Sequence, residues 1–294
     1  MDSNTLMVLL VGGSLIGFLL AVLGAGGAIL LMPLLVNVLD IPTDPAISLS
    51  LLVVMLLAIG NAIPYLKRGQ FAPGTALRLG MPALLGSWWG ARLARAGIVN
   101  DTAQLLIFIT AALIASVLML RRSNAQEPTE QELPLYAALK RKRYPWMLTV
   151  QGLLVGLLTG TAGVGGGFAI VPALVLLAGL PMQLATGTSL VLIALSSPVA
   201  LITLGDWPLA QLPMILPLVA GGLVGALIGQ QLAPHLSDQW LRRGFAALLI
   251  GSALFTASET LQRHQKSSTA HHIDRHERET NSRALRDQVN LPFV

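Results

Sequence analysis

Long apolar runs separated by short polar breaks cover most of this chain, and their lengths predict membrane-spanning helices. The first run, residues 6–23, is long enough to cross a hydrocarbon core of about 30 Å at ~1.5 Å per residue. A glycine-rich break at 24–27 interrupts it, and residues 28–39 then continue the apolar pattern. A straight helix over both parts would be about 50 Å long, so the segment must break, tilt or fold back. We interpret it as a broken helix.

Further spans follow in each half of the chain. In the first half they cover residues 45–66, 73–93 and 102–120; in the second half a glycine-broken segment at 147–178 precedes spans at 183–204, 209–232 and 240–261. The sequence therefore predicts an all-α integral membrane protein with about eight spans, four in each half (4+4), the first segment of each half being broken at glycines.

The second half repeats the first at a distance of 139 residues. Without a gap, Gly24, Gly26, Gly27, Pro33, Pro42, Ala46 and Ser50 recur as Gly163, Gly165, Gly166, Pro172, Pro181, Ala185 and Ser189. With a three-residue deletion and one further deletion, Pro82, Gly86 and Gly90 align with Pro217, Gly221 and Gly225. The spacing of Gly86 and Gly90 also predicts close approach of a neighbouring helix. The sequence thus predicts a tandem-duplicated helical bundle.

Composition divides the chain into four regions. We expect a first membrane repeat at 6–121, an aqueous linker at 122–146, a second membrane repeat at 147–261 and a polar, disordered tail at 262–294. Apolar residues make up 54% of the chain and charged residues 11%, which is far from the composition of a soluble domain. The net charge of +5 is concentrated in loops and tail, where it indicates orientation and lipid headgroups rather than nucleic acid.

No pattern in the sequence points to an enzyme or to a cofactor. The chain has no cysteine, which excludes disulfides and thiolate metal sites. It also has no HExxH motif and no Walker-type phosphate loop. The histidines of the tail are irregularly spaced, which favours a solvated tail over a metal site. We therefore expect neither catalytic residues nor a metal site.

Basic residues predict the orientation. Six Lys or Arg lie at 121–143 and six more at 263–286, while the loops at 40–44 and 180–183 have none. By the positive-inside rule, linker and tail both face the cytoplasm. An even number of crossings then separates them, which favours two halves related by an axis along the membrane normal. Alternatively, each broken segment makes two crossings, which gives five per half and inverted halves.

The motifs resemble those of one membrane family. The pattern Gly-x-Gly-Gly-x5-Pro followed by Ala-x-Gly-Thr-Ser-Leu occurs in the second half, and a weaker copy with Ser48-Leu49-Ser50 in place of Gly-Thr-Ser occurs in the first. Over residues 6–261 the chain resembles the TauE/SafE family of sulfite exporter-like permeases. This resemblance implies transport of sulfite, sulfonates or related sulfur anions across the cytoplasmic (inner) membrane of a prokaryote.

The physics of a broken membrane helix independently favours an anion site. Its free N–H groups find no partner in lipid and must be buried or line a water-filled cavity, where the positive end of the helix dipole attracts an anion. We predict a substrate site from the breaks and adjacent hydroxyls: Gly24, Gly26, Gly27, Ser50, Gly163, Gly165, Gly166, Thr188 and Ser189. Packing glycines and hydroxyls bonded to their own helix are the competing interpretations.

Two functions from different classes follow. The first is a secondary transporter for small sulfur-containing anions, with a midplane site between the two broken segments. Because the carboxylates fall at span ends, no proton carrier is evident, and we expect export driven by the membrane potential. The alternative is a membrane scaffold or accessory subunit that binds a partner through its linker and tail.

Overall fold

A computed structural model of the protein describes residues 3–96, 101–123, 145–161, 169–204 and 212–255. All regular secondary structure in these ranges is helical. Within them, four helices are long and apolar enough to cross a membrane: Ser3–Leu23, Pro45–Lys67, Met182–Ile202 and Pro213–His235. These helices agree with the all-α membrane class. Most of the predicted linker and all of the tail at 262–294 lie outside the described residues.

Within the described ranges we number ten helices, five in each half. The first half contains α1 (Ser3–Leu23), α2 (Gly26–Pro33 with a π-helical turn at Leu34–Val38), α3 (Thr43–Lys67), α4 (Pro73–Thr75, a π-helical turn at Ala76–Gly80, then Met81–Arg95) and α5 (Asp101–Ser123). The second half contains α6 (Pro145–Thr161), α7 (Ile170–Pro172 with a π-helical turn at Ala173–Leu177), α8 (Met182–Leu204), α9 (Leu212–Leu232 with a 3₁₀ turn at Ala233–His235) and α10 (residues 238–255).

The chain up to Ser252 forms one compact unit, to which the packing below refers. Of the second unit, Ala253–Val294, the structure describes only residues 253–255, which are helical. Inside the first unit the two halves exchange partners. Helix α1 of the first half packs along α9 of the second, α6 of the second half packs along α4 of the first, and α3 packs against α8.

Glycines make the two exchanged helix pairs possible. A β-carbon on Gly13 or Gly17 of α1 would collide with the backbone of α9, and one on Gly152 or Gly156 of α6 would collide with the backbone of α4. Gly86 of α4 lies against the Leu153 carbonyl, as its spacing predicted. In lipid, where burial of apolar surface gives no driving force between helices, such close backbone approach supplies van der Waals packing.

Equivalent elements begin 139 residues apart along the whole described unit. This spacing separates the first residues of α3 and α8 (Thr43 and Met182), those of α4 and α9 (Pro73 and Leu212), and the first π-helical turns of the two halves. The connection between α3 and α4 is therefore as long as that between α8 and α9, and the repeat contains no deletion there.

The predicted alignment of α4 with α9 was wrong. We had paired Pro82, Gly86 and Gly90 with Pro217, Gly221 and Gly225, one helical turn away from the register that the packing shows. Gly86 contacts Leu153 and Gly225 contacts Ser14, and both members of these pairs are 139 residues apart. Because glycines recur at every crossing point of these helices, matching them by identity alone slips by one turn.

The first glycine break turns the chain back on itself. A β-carbon on Gly27 of α2 would meet the Ile16 carbonyl and Leu20 of α1, while one on Gly12 would meet the Leu34 side chain at 2.7 Å. The later residues of α2 thus lie beside the earlier residues of α1. Helices α1 and α2 are antiparallel, and the segment is a hairpin rather than one interrupted span.

Equivalent helices of the two halves run in opposite directions. Gln70, just after α3, donates from Nε2 to Gln183 Oε1 near the start of α8 at 3.1 Å, and Gly187 lies against Tyr65 near the end of α3. The end of α3 therefore meets the beginning of α8. Because α3 and α8 occupy equivalent positions in the repeat, the halves are inverted, which is the alternative that counts each broken segment as two crossings.

The directions of the helices argue against a linker and a tail on the same face. Gly152 packs against Leu79 and Gly156 against Ala83, so α6 runs parallel to α4 and away from the face at which α3 ends. Asp238 at the start of α10 contacts Met182 at the start of α8, and α10 passes Leu23 and Gly26 four to ten residues later. Both α6, after the linker, and α10, before the tail, start at the same face. Basic residues alone did not reveal this, because the count of crossings depends on the hairpin.

Candidate functional site

The first glycine break meets the polar residues of the other half. Gly24 ends α1 with φ of +84°, a left-handed conformation that a residue with a β-carbon rarely adopts. A β-carbon there would lie 2.5 Å from Ser189 Oγ and 2.9 Å from the Thr186 Cα of α8. The turn therefore requires glycine for its backbone angle and for its contact with α8. The prediction that the break and these polar residues belong together holds for Gly24 and Ser189.

A tyrosine satisfies a carbonyl that the break releases. Because α1 ends at Leu23, the Ala21 carbonyl has no helical N–H partner four residues later. The buried Tyr65 hydroxyl donates to this carbonyl at 2.7 Å. Tyr65 lies only two residues before Lys67, the last residue of α3. The first break thus lies near one end of the bundle and not at its midplane, where we had expected it.

Helix α2 starts inside the protein without a cap. Ala25, Gly26 and Gly27 are buried, and no side chain bonds to the N–H groups of this helix start. The first N–H groups of a helix have no intrahelical acceptor, and together they carry about half a positive charge. In a buried position, this end of α2 offers backbone donors to an anion.

The two other glycines of the first break have packing contacts. Gly27 lies against the Ile16 carbonyl, and a β-carbon on Gly26 would lie 3.2 Å from the Leu248 side chain. Both therefore allow the hairpin and its neighbours to close up. Gly163, Gly165 and Gly166 of the second break lie outside the described residues.

Three predicted hydroxyl donors are bonded within their own helices. Ser50 Oγ donates to the Ile47 carbonyl at 2.8 Å, Ser189 Oγ to the Thr186 carbonyl at 2.8 Å, and Thr188 Oγ1 to the Leu184 carbonyl at 2.6 Å. Thr188 Oγ1 also accepts from the Ala72 N–H at 3.1 Å and so holds the start of α4. In this conformation these hydroxyls position helices and have no proton left for a ligand.

Thr186 differs from its neighbours on α8. Its side chain is fully buried, and Oγ1 has no hydrogen-bond partner in the part of the chain that the structure describes. It precedes Ser189 by three residues, so both lie on the face of α8 that contacts Gly24. The sequence analysis noted Thr186 as a neighbour of Gly187-Thr188-Ser189 but did not include it among the site residues.

A buried polar cluster that the sequence analysis missed ties α3 to α9. Gln230 Nε2 donates to Asn61 Oδ1 at 2.8 Å, and Asn61 Nδ2 donates to the Leu57 carbonyl at 2.8 Å. Arg68 Nη1 donates to the Gln230 carbonyl at 3.2 Å. An Asn and a Gln inside apolar spans are the signal that would have identified it.

Asp238 joins two helix starts. Its carboxylate accepts from the Met182 N–H of α8 and forms an ion pair with Arg242 of α10. A carboxylate is favourable at a helix start, where the dipole is positive. Among the described residues no group of three or more His, Cys, Asp or Glu is placed to hold a metal ion.

Comparisons with known proteins point to transport. A family model described as sulfite exporter TauE/SafE matches residues 9–256. A probable membrane transporter protein of Xylella fastidiosa is 29% identical over 260 residues, covering 87% of this chain and 96% of the relative. The probable membrane transporter protein YdhB of Bacillus subtilis is 25% identical over 221 residues, covering 73% and 85%. No solved structure matches this chain.

Proposed function

Because the chain belongs to the sulfite exporter TauE/SafE family, we propose that this membrane protein is a permease for small sulfur-containing anions such as sulfite or a sulfonate. The observation that supports it is the buried, uncapped start of α2 beside Gly24 and α8. A helix start of this kind supplies N–H donors and a partial positive charge in a place from which lipid is excluded. The site is shared between the halves, as expected for a transporter with inverted repeats.

The proposed topology has ten crossings, five per half, in place of the predicted eight. In this arrangement Lys67-Arg68 after α3 and Arg242-Arg243 near the start of α10 share the face from which α6 starts. Together with the basic linker before α6 they favour a cytoplasmic location of that face by the positive-inside rule. The membrane is proposed to be the prokaryotic inner membrane, as the family resemblance implies.

Export down the electrochemical gradient is the proposed direction. Asp44 and Asp101 lie within the first two residues of α3 and α5, and Asp238 is the first residue of α10. None lies in the middle of a described span, where a proton carrier would be needed. An inside-negative potential favours anion exit by about 2.3 kcal/mol per elementary charge per 100 mV. The potential alone is therefore sufficient to drive export.

Flux from proteoliposomes tests this function. Vesicles loaded with sulfite should lose it faster when a potassium diffusion potential makes the interior negative, and efflux should slow when the potential is collapsed. A pH gradient without a potential should have a much smaller effect. Efflux that ignored the potential but required a proton or sodium gradient would contradict this mechanism, and wild-type vesicles as tight as protein-free vesicles would contradict transport of sulfite.

The alternative function is a scaffold or accessory subunit that acts through the linker and the tail. Deletion of residues 262–294 separates the two: a permease whose site lies between α2 and α8 should keep its flux. A scaffold would show no substrate-dependent flux with or without these residues.

A further inference from the structure

An unsatisfied hydroxyl inside a membrane helix is unfavourable without a ligand. Ser and Thr in such helices commonly donate to a carbonyl three or four residues earlier, as Thr188 and Ser189 do here. Thr186, on the same turn of α8, is fully buried but has no such bond within the described residues. Burying a hydroxyl without a partner costs about 1–3 kcal/mol. A bound acceptor would remove this cost.

The position of Thr186 provides the second element of a site. The Gly24 turn, which passes next to the Thr186 Cα, leads directly into the uncapped start of α2. A side chain leans toward the start of its own helix, and the face that carries Thr186 and Ser189 looks onto this turn. The free hydroxyl of α8 and the free N–H groups of α2 thus come from different halves of the chain and converge next to Gly24.

The donors in this region carry only partial charges. Residues 1–66 and 144–241 contain neither Lys nor Arg, so the two broken segments and the helices that follow them supply no cationic side chain of this kind. Taking an ion out of water costs more as the square of its charge in the Born description. Half a charge at a helix start and a neutral hydroxyl therefore compensate a monoanion far better than a dianion.

We propose that Thr186 Oγ1 and the start of α2 at Gly24 form a binding site for a singly charged oxyanion. The ligand class is a sulfonate, or bisulfite in place of the sulfite dianion. This inference rests on the proposed transport function and adds the donor residue and the charge of the ligand. The hydroxyl donates to one oxygen of the anion, and the α2 N–H groups donate to others.

Removing the hydroxyl tests the residue. Purified protein in lipid nanodiscs is titrated with methanesulfonate, and binding is measured by calorimetry and by thermal stabilisation. Thr186→Val should bind roughly 10- to 100-fold more weakly, the loss expected for one hydrogen bond to a charged group. Thr186→Ser, which keeps the hydroxyl, should restore binding. Without ligand, Thr186→Val should be at least as stable as wild type, because it removes an unsatisfied polar atom.

Ser116 of α5 provides a matched control. Its Oγ is also fully buried and also without a hydrogen-bond partner in the described ranges, but it is not on α2 or α8. Ser116→Ala should therefore leave methanesulfonate binding unchanged. Equal binding by wild type, Thr186→Val and Ser116→Ala would overturn the assignment of Thr186. If Thr186→Val does not fold, comparison of Thr186→Ser with Thr186→Ala gives the same answer.

A second titration tests the charge. Methanesulfonate and sulfate share the three-oxygen face but differ in charge, and methanesulfonate should bind at least tenfold more tightly. Lowering the pH, which converts sulfite to bisulfite, should strengthen sulfite binding and leave methanesulfonate unaffected. Tighter sulfate binding would refute the monoanion site. If wild type shows potential-driven sulfite efflux while Thr186 has no effect, transport stands and this inference fails; if wild type shows neither flux nor binding, the proposed function itself fails.

Discussion

Replacing Tyr65 by phenylalanine removes one atom from the support of the first glycine break. The Tyr65 hydroxyl donates to the Ala21 carbonyl at 2.7 Å, and both residues are buried. The ring itself packs near Gly187, where a β-carbon would lie 3.0 Å from Tyr65 Cδ1. Phenylalanine keeps this packing, so the substitution isolates the hydrogen bond.

The expected loss follows from the state in which the substitution leaves the carbonyl. Hydrogen bonds between membrane helices contribute about 0.6 kcal/mol on average and about 1.7 at most, because alternative partners are often available. The Ala21 carbonyl has no such alternative, since the turn at Gly24 removes its helical donor and lipid offers none. We therefore expect a cost of about 1–2 kcal/mol, which is a factor of roughly 5–30 in the population of the open hairpin.

Hydrogen–deuterium exchange measures this opening directly. In Tyr65→Phe the N–H groups of residues 20–28 should exchange about 5–30 times faster than in wild type, while those of α9 should change little. Ser87→Ala is the control, because Ser87 Oγ donates to the Leu84 carbonyl, which also accepts a helical N–H. Exchange at 20–28 that is the same in both variants would refute the role assigned to the Tyr65 hydroxyl.

Three further predictions follow from the same contacts. Single cysteines at Asn124 and Ser267 should react with an impermeant thiol reagent from opposite faces, and equal labelling in intact cells would restore the even number of crossings. A double-mutant cycle of Asn61→Leu and Gln230→Leu should give a coupling of about 0.6–1.7 kcal/mol in thermal unfolding, and additive effects would show that their bond contributes nothing. Gly24→Ala should lower stability by at least about 1–2 kcal/mol and reduce sulfite flux, because φ of +84° is unfavourable for alanine and α8 must move.

The control for Gly24 is a glycine in open space. A β-carbon on Gly251 of α10 meets nothing within 4 Å, and its backbone is helical. Gly251→Ala should therefore be neutral or stabilising by about 0.5–1 kcal/mol, the intrinsic cost of glycine in a helix. A similar loss in both variants would mean that Gly24 is sensitive only as a helix position and not as the turn that contacts α8.

The sequence predicted the helices and the break but not the path of the chain. Hydropathy identified residues 6–23 and 28–39 as apolar, and the glycines at 24–27 located the break. The decision between an interrupted span and a hairpin depends on contacts such as that of Gly27 with Ile16, which lie on the buried side of the turn. The orientation of every later helix depends on that decision. The basic residues around Arg242 conflicted with the eight-span interpretation and were the sequence signal against it.

The predicted site was correct in place more than in its donors. Gly24 and Ser189 do meet, because the motif that carries them is repeated and the halves exchange partners. The hydroxyl of Ser189, however, bonds to its own helix, as do those of Ser50 and Thr188. Sequence cannot distinguish a hydroxyl that bonds back from one that stays free, since both are Ser or Thr on an apolar helix. Thr186 became visible only through its missing bond.

The exchange of partners gives the duplication a physical role. Helix α1 needs α9, α6 needs α4, and the turn at Gly24 needs Ser189 and Thr186 of α8. Neither half alone contains both sides of these contacts, so folding and the proposed site depend on the same interface. An inverted partner also places equivalent elements at opposite ends of the bundle, as the antiparallel packing of α3 on α8 shows. A small rotation of one half against the other would then close contacts at one end while it opens their equivalents at the other, which is the requirement for alternating access.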